Sequence, residues 1–199
     1  MGWPSLTDYQ EAVQNPSLCF STPELKNGII QTDRFGLPKP VTGGFASVYQ
    51  VKNRSSKYAI RCFIHNFPDQ EARYSIISRY LEQANLPFMV DFVFLRQGIL
   101  IKKQWYPILK MEWINGEPLS AYIINNLQSP QQIRKLADKF LAVLAALRAK
   151  KIAHGDLQHG NILIVNGTLM FLHVFLNFAP PKMKNIVIMS CGAWNGTYR

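Results

Sequence analysis

The chain has 199 residues, 48% of them hydrophobic and 17% charged, which is typical of a folded protein and excludes a largely disordered one. Its net charge of +10 raises the question of nucleic-acid binding. The lysines and arginines are scattered in ones and twos, however, with no dense basic stripe between aromatic residues, so we expect no nucleic-acid partner. The three cysteines are widely spaced and fit neither a disulfide framework nor a zinc motif, and the N-terminus lacks a signal-peptide pattern, so we expect a cytoplasmic protein.

The first 64 residues predict a short helix, an irregular segment and a β-hairpin. A helical pattern runs from Tyr9 to Val13, directly after Ser5-Leu-Thr-Asp8. Four prolines between positions 16 and 40 predict that the next segment is extended or looped. From Gly43 the hydrophobic period changes to two, and the alternation runs from Phe45 to Val51. A polar break over residues 52–56 and a second β-rich run over residues 58–64 complete the hairpin signal.

The middle of the chain predicts a helix, a pair of strands and a second helix. Residues 69–84 have apolar side chains at spacings of one, three and four behind Pro68 and Asp69, which predicts a helix. Strands are predicted over Phe88–Leu95 and Trp105–Trp113, with Gly98 at the turn between them. Leu119–Leu127 predicts a short helix.

The clearest helix of the sequence starts near residue 130. Ser129-Pro-Gln-Gln132 has the form of a capping box with proline at the first helical position. The order of the predicted elements along the chain is strands, a helix, strands and then helices. This order indicates an α+β fold, in which a β-rich lobe leads into a helical lobe. The candidate boundary between the lobes is Asn115-Gly116. The apolar stripe of this helix consists of Ile133, Leu136, Phe140, Val143, Leu144 and Leu147.

The strongest chemical signal is the run from residue 154 to residue 161, His-Gly-Asp-Leu-Gln-His-Gly-Asn, which is followed by the apolar stretch Ile162–Val165. It places Asp156 and Asn161 in a loop between a long helix and a strand. Phosphoryl transfer needs such a pair, because a carboxylate orients the attacking hydroxyl and an amide oxygen helps to hold magnesium against the phosphates. The run therefore predicts a phosphoryl-transfer loop.

This run resembles the catalytic loop of the protein kinase-like superfamily, and its His-Gly-Asp opening is similar to that of small-molecule and atypical kinases. The resemblance implies a kinase-like fold with a β-rich N-lobe and a helical C-lobe, with ATP and Mg²⁺ as cofactors. It also implies phosphoryl transfer to serine or threonine hydroxyls, with a protein as a possible substrate, and leaves open a small-molecule substrate because the substrate-binding helices are missing. Asp156 would act as the base and Asn161 as a magnesium ligand.

The run from residue 41 to residue 48, Val-Thr-Gly-Gly-Phe-Ala-Ser-Val, looks like the glycine-rich phosphate loop of the same family. Gly43 falls in register with an expected glycine and Gly44 is offset by one, while Val41 and Ala46 stand at the other glycine positions. Val48 takes the position of the valine that packs on adenine. By resemblance these residues would contact the nucleotide.

The strand Tyr-Ala-Ile-Arg, residues 58–61, looks like the Val-Ala-Ile-Lys strand of the family. Ala59 suits the adenine pocket, and Arg61 stands where the family has the lysine that holds the α- and β-phosphates. Arginine keeps the charge on a different, planar geometry, so the exchange is not conservative. The acidic partner implied for Arg61 is Glu71 or Glu82, and spacing does not choose between them.

Residues 110–117 resemble the hinge of the family, in which the backbone at Glu112 and Trp113 would bind the adenine edge. The resemblance covers residues 36–168. It divides the chain into an N-terminal extension (1–35), a kinase-like N-lobe (36–114), a partial C-lobe with the catalytic loop (115–169) and a divergent tail (170–199).

The tail departs from the family. No Asp or Glu occurs from Leu157 to Arg199, so the Asp-Phe-Gly motif with its magnesium-binding aspartate is missing, as are the activation segment and the helices of the lower lobe. We expect the chain beyond Leu169 to be out of family register through truncation, frameshift or gene decay. The uncharged run 162–179 is interrupted by polar residues, so we expect no membrane span.

The departures leave three functions open. They are an ATP-dependent phosphotransferase of impaired activity, a catalytically inactive pseudokinase fragment that binds a nucleotide or a protein, and a decayed remnant without function. Arg61 and the missing acidic motif favour the second and third functions for the chain as it stands.

Overall fold

The computed structural model describes residues 2–43, 46–66, 69–154, 157–172 and 187–188. The chain divides into two compact units, and each is described by itself. The first unit comprises Met1–Ser78 and Asp91–Trp113, and the second comprises Arg79–Val90 and Ile114–Arg199. Helices combined with an antiparallel sheet confirm the predicted α+β class. The predicted boundary at Asn115-Gly116 lies just after the last division between the units.

The first unit is built on an antiparallel sheet, which has six strands within the described residues. The strand order is β1-β3-β4-β6-β5, and β2 pairs with β3 beside β1. Neighbouring strands along the chain therefore lie side by side in most of the sheet. The strands are β1 (Ile29–Ile30), β2 (Val41–Thr42), β3 (Ala46–Asn53), β4 (Ser56–Phe63), β5 (Phe92–Ile101) and β6 (Gln104–Glu112).

The predicted hairpin over residues 45–64 is confirmed as β3 and β4, whose pairing runs from Ala46 opposite Phe63 to Asn53 opposite Ser56. The alternation of apolar side chains that predicted it arises because one face of the sheet covers a hydrophobic core. Along β3, Tyr49 and Val51 point into that core.

The predicted turn at Gly98 is wrong. Gly98 lies inside β5, next to a register shift in the pairing with β6, and β5 itself begins at Phe92 rather than at residue 88. A Cβ atom on Gly98 would stand 2.2 Å from Cγ1 of Ile108, so the absent side chain permits close packing instead of a turn. The chain turns at Lys102 and Lys103, which have φ values of 49° and 69°, between the paired residues on either side.

Short helices cover the sheet at the N-terminus: α1 (Leu6–Ala12), α2 (Pro16–Cys19) and α3 (Pro23–Lys26). The predicted first helix is confirmed and starts three residues earlier than expected, since Ser5 and Asp8 form a capping box at its N-terminus. The prediction of an extended segment at Pro16 and Pro23 is wrong. Each proline occupies the first turn of a short helix, where its missing N–H costs nothing.

The core of the first unit lies between these helices and the sheet. Buried residues from the N-terminal segment interdigitate there with one face of the central strands, so the N-terminal extension is an integral part of the unit. The cluster consists of Tyr9, Val13, Cys19, Phe20, Leu25, Ile30, Tyr49, Val51, Ile60, Cys62, Ile99, Ile101, Tyr106 and Ile108.

The predicted helix over residues 69–84 is confirmed as α4 (Gln70–Ala84), and the division between the units falls within it after Ser78. In the first unit, the ring of Tyr74 on α4 is buried against aromatic rings of the sheet. Its centroid lies 5.6 Å from that of Phe63 and 5.4 Å from that of Phe94. These contacts attach the start of α4 to the strands β4 and β5.

The second unit contains α5 (Leu119–Asn125) and α6 (Pro130–Ala149), which confirm the helices predicted there. The capping box predicted at Ser129 does not form, because the Ser129 side chain makes no capping hydrogen bond. Within the described residues, no helix has the length and apolar character needed to cross a bilayer. The strands of the unit are β7 (Glu117–Pro118), β8 (Ile152–Ala153), β9 (Ile162–Val165), β10 (Thr168–Phe171) and β11 (Val187–Ile188).

The strands β9 and β10 form a hairpin directly after Asn161. Their turn is Asn166-Gly167, with φ values of 49° and 74°, as expected for Asn-Gly in a two-residue hairpin loop. β7 pairs with β9 on the other side, and β11 pairs with β8 in parallel orientation. Buried Ile162, Leu169 and Phe171 fix this hairpin in the unit.

Candidate functional site

Five of the predicted nucleotide-binding residues of the first unit share one face of the sheet. Directly opposite residues of paired strands point to the same side, and residues two apart on a strand do so as well. Val41 stands opposite Val48, and Val48 stands opposite Arg61. Ala46 and Ala59 lie two residues from Val48 and Arg61 on the same strands. All five are therefore on the face away from the N-terminal core.

The glycine-rich run forms the connection between β2 and β3. The N–H of Gly43 donates to the carbonyl of Ala46 at 3.0 Å, which closes a tight hairpin. A Cβ atom on Gly43 would have no neighbour within 4 Å, and Val41 beside it is 63% exposed. The predicted contact Gly44 lies outside the described residues. Gly43 thus has open space beside its Cα atom, while its N–H is engaged with Ala46.

Arg61 lies in the interior of the sheet face and is only 9% exposed. It faces Val48 on one side and Leu109 of β6 on the other. The guanidinium carbon of Arg61 is 5.9 Å from the ring centroid of Phe63 on the same strand, within the range of a cation–π contact. Arginine is seldom so buried unless it is paired, and its guanidinium pairs well with carboxylate and phosphate oxygens.

The acidic partner of Arg61 remains a choice between Glu71 and Glu82. The carboxylate of Glu71, in the first turn of α4, forms an ion pair with Arg96 of β5 at 3.3 Å. Glu82 belongs to the second unit. This pairing therefore stays a prediction.

The predicted hinge residues stand at the end of β6. Glu112 is the last residue of the strand, exposed, and paired with Tyr58. The N–H of Trp113 donates to the carbonyl of Lys57 at 2.9 Å, so this N–H is already engaged within the unit. An adenine edge would have to use other backbone groups of the segment.

In the second unit, β8 leads directly into the predicted phosphoryl-transfer loop. His154 is 3% exposed and its ring lies 5.7 Å from that of Phe171, which anchors the start of the loop in the core. The predicted base Asp156 lies outside the described residues. His159–Asn161 forms a single 3₁₀ turn, closed by the N–H of Asn161 donating to the carbonyl of Gln158 at 2.9 Å.

Asn161 is therefore the predicted magnesium ligand that lies within the described residues. The amide oxygen of asparagine is a hard ligand of the kind that Mg²⁺ accepts, but it brings no charge. A complete site needs a carboxylate, for which Asp156 is the candidate from the sequence. The main chain of Asn161 is held on both sides, since its carbonyl accepts from the N–H of Leu172 at 2.8 Å.

A pair of contacts near Arg61 was not predicted from the sequence. The indole nitrogen of Trp3 and the hydroxyl of Tyr9 both donate to the carbonyl of Phe63, at 2.5 Å and 2.6 Å. A signal was available, because tryptophan and tyrosine find a partner for their polar atom when they are buried. The sequence does not reveal which carbonyl they reach.

A comparison with models of known protein families finds none that matches this chain.

Proposed function

We propose that the chain is a protein kinase-like domain whose first unit binds ATP on the sheet face away from the N-terminal core and whose second unit carries the loop for phosphoryl transfer. The order of elements along the chain supports this proposal. A glycine hairpin, a strand with a buried cation, a helix, a hinge strand, helices, the Asp-Asn loop and a hairpin follow one another as the resemblance implies.

The observation that carries the proposal is the row Val41, Val48, Arg61 across neighbouring strands. The sequence separates Val41 from Arg61 by twenty positions, and the register brings them to one face. Arg61 is nearly buried there, and Gly43 leaves open space at the adjoining hairpin. An arginine cation beside a glycine that carries no side chain leaves room for phosphate oxygens, which a guanidinium binds well.

In this proposal each residue has a distinct chemical role. Ala59 and Val48 contact the adenine ring, and Arg61 pairs with the phosphates. Asp156 accepts or orients the proton of a serine or threonine hydroxyl, which belongs to a protein substrate, and the Asn161 amide oxygen holds Mg²⁺. Bound Mg²⁺ supplies positive charge that neutralises the phosphate oxygens.

A second candidate function is nucleotide binding without turnover. It is favoured by the absence of any Asp or Glu after Asp156 in the sequence, which leaves Mg²⁺ with a single carboxylate from this part of the chain. Arg61 in place of lysine also favours binding without turnover, because a planar guanidinium presents its donors to phosphate oxygens in a different geometry from a lysine ammonium.

The test is a thermal-shift titration of the purified full chain with ATP, with and without Mg²⁺. A ligand that binds only the folded form raises the melting temperature. We expect ATP to raise the melting temperature of the wild type. Arg61→Met should weaken ATP binding by about tenfold or more, because it removes a charged hydrogen bond. Adenosine binding serves as the control, since it has no phosphates and should not change.

Two outcomes separate the candidates. A melting temperature that responds to ATP only with Mg²⁺, together with phosphate transfer to a mixed serine and threonine peptide library that is lost in Asp156→Asn, supports the phosphotransferase. A response to ATP that ignores Mg²⁺, without transfer, supports the binding module. No response to ATP in either condition contradicts both.

A further inference from the structure

The N-terminal extension has an unassigned contact with the strand that carries Arg61. Trp3 and Tyr9 donate to the same main-chain carbonyl, that of Phe63. Tyr9 is fully buried and belongs to the core cluster under the sheet. Burial also raises the pKa of the Tyr9 phenol far above its ordinary range, so the hydroxyl keeps its proton and stays a donor.

The position of Phe63 explains why this carbonyl needs donors from outside the sheet. The pairing of β4 with β6 ends at Cys62 opposite Ile108, and Phe63 pairs only with Ala46 of β3. Phe63 is 2% exposed, so a carbonyl there without a partner would be costly. The donors on Trp3 and Tyr9 thus fix the peptide plane at the end of β4.

The side chain of Phe63 connects this fixed point to Arg61. Its ring lies under the Arg61 guanidinium carbon at 5.9 Å, and the same ring packs on Tyr74 and Phe94. Arg61 and Phe63 project from the same face of β4, two residues apart. Any shift of the Phe63 backbone therefore moves the surface on which the guanidinium rests.

We propose that Trp3 and Tyr9 are positioning residues that hold Arg61, through Phe63, in the orientation that binds the phosphates of a nucleotide. This inference rests on the proposed function, because it takes Arg61 as the phosphate-binding residue. It assigns to the N-terminal extension a part in ligand binding, although Trp3 and Tyr9 themselves do not contact the ligand.

The experiment compares Tyr9→Phe and Trp3→Phe with the wild-type full chain, using ATP and adenosine as separate probes in calorimetric titrations. Each substitution keeps an aromatic ring and removes one donor. We expect each to weaken ATP binding by about fivefold and the double variant by more, the size of coupling common between contacting residues. Adenosine binding should stay within about twofold, since it does not use Arg61.

Tyr106→Phe is the matched control. Tyr106 belongs to the same core cluster, but its hydroxyl donates to the side chain of Gln104 at 3.0 Å and not to Phe63. It should lower the melting temperature without changing the ratio of ATP to adenosine affinity. If Tyr9→Phe and Trp3→Phe change the ratio of ATP to adenosine affinity no more than Tyr106→Phe does, the positioning role is overturned while the proposed function stands. If the wild type binds no ATP, the proposed function itself fails and the inference fails with it.

Discussion

The carbonyl of Asn161 accepts a hydrogen bond from the N–H of Leu172 at 2.8 Å. This bond joins the end of the candidate phosphoryl-transfer loop to the residue that follows β10, and the hairpin turn at Asn166-Gly167 makes the return possible. The hairpin thus helps to set the main-chain position of Asn161 through a backbone bond. The Asn161 side chain can therefore be exchanged without removing the bonds that hold its backbone.

Asn161→Ala should remove the magnesium-dependent part of ATP binding and leave the fold intact. We expect ATP binding with Mg²⁺ to weaken by about tenfold or more, as is common when groups around a metal site are lost. Binding without Mg²⁺ should not change. The measurement is the ATP-induced rise in melting temperature with and without Mg²⁺.

The control for this substitution is Asn125→Ala. Asn125 is an exposed residue at the end of α5, and its side chain donates to the carboxylate of Glu117 at 2.6 Å. In this variant, Mg²⁺ should increase the ATP-induced rise in melting temperature as much as it does in the wild type. An equal effect of Mg²⁺ in Asn161→Ala would contradict the role of Asn161 as a magnesium ligand.

The serines at the starts of α1 and α6 should differ in their effect on stability. The Ser5 hydroxyl accepts from the N–H of Asp8 at 3.2 Å and donates to its carboxylate at 2.8 Å, whereas the Ser129 side chain makes no capping bond. Ser5→Ala should therefore cost about 1 kcal/mol of unfolding free energy, and Ser129→Ala less than about 0.5 kcal/mol. Urea unfolding of both variants checks this, and equal losses would contradict it.

Hydrophobic period and turn chemistry were sufficient to predict much of the fold. The β3–β4 hairpin, α4, α6 and the β9–β10 hairpin each carry a pattern that one local rule explains. The Asn-Gly turn before β10 is the clearest example, because the sequence and the observed positive φ values agree.

Errors arose where one residue type serves more than one purpose. Glycine marks a turn or a close approach, and at Gly98 the neighbour Ile108, ten positions away, decides which. Proline breaks helices or starts them, and Pro16 and Pro23 start them. These outcomes depend on tertiary contacts that a local pattern does not contain.

The candidate site was predictable in composition but not in arrangement. The resemblance picked out Val41, Val48 and Arg61 from motifs, while only strand register brings them to one face. The contacts of Trp3 and Tyr9 with Phe63 could not be predicted, since they join positions more than fifty residues apart and no periodicity encodes them.

Gly98→Ala should destabilise the first unit. The new Cβ would stand 2.2 Å from Cγ1 of the fully buried Ile108, so the core must shift, at a cost of roughly 2 kcal/mol or more. Ile108→Ala removes the clashing atoms. The double variant should therefore lose less stability in urea unfolding than the two single losses added together.

Gly43→Ala is the control, because a Cβ at Gly43 meets nothing within 4 Å. It should change the unfolding free energy by less than about 0.5 kcal/mol. Strict additivity of Gly98→Ala and Ile108→Ala would contradict the proposed clash.

Lys103→Gly should stabilise the chain. Lys103 has a φ of 69° in the two-residue turn between β5 and β6, a conformation that costs a residue with a Cβ about 1–2 kcal/mol. Glycine removes that strain. Its greater conformational freedom in the unfolded state offsets part of the effect, so the free energy of unfolding should rise by about 0.5–1 kcal/mol. Lys39→Gly, at an exposed position without positive φ, should give no gain. Thermal unfolding of the two variants decides the matter, and a loss of stability in Lys103→Gly would refute the strain.

The ion pair between Asp8 and Lys102 should make stability depend on pH in the acid range. The Lys102 ammonium, 2.6 Å from the carboxylate, and the hydrogen bonds from Ser5 lower the pKa of Asp8 to about 2. A carboxylate with a lowered folded-state pKa binds protons more readily in the unfolded chain, so its contribution to stability is present above about pH 4 and is lost as the pH falls toward 2.

Asp8→Asn keeps the capping geometry and removes the charge. Its melting temperature should lie below that of the wild type at pH 6, and the difference should shrink steadily between pH 4 and pH 2. Lys102→Met, which leaves Asp8 in place but removes the cation, should show a smaller fall over the same interval than the wild type does. A difference between wild type and Asp8→Asn that is the same at pH 6 and pH 2 would mean that the charge of Asp8 does not stabilise the contact between α1 and the β5–β6 turn.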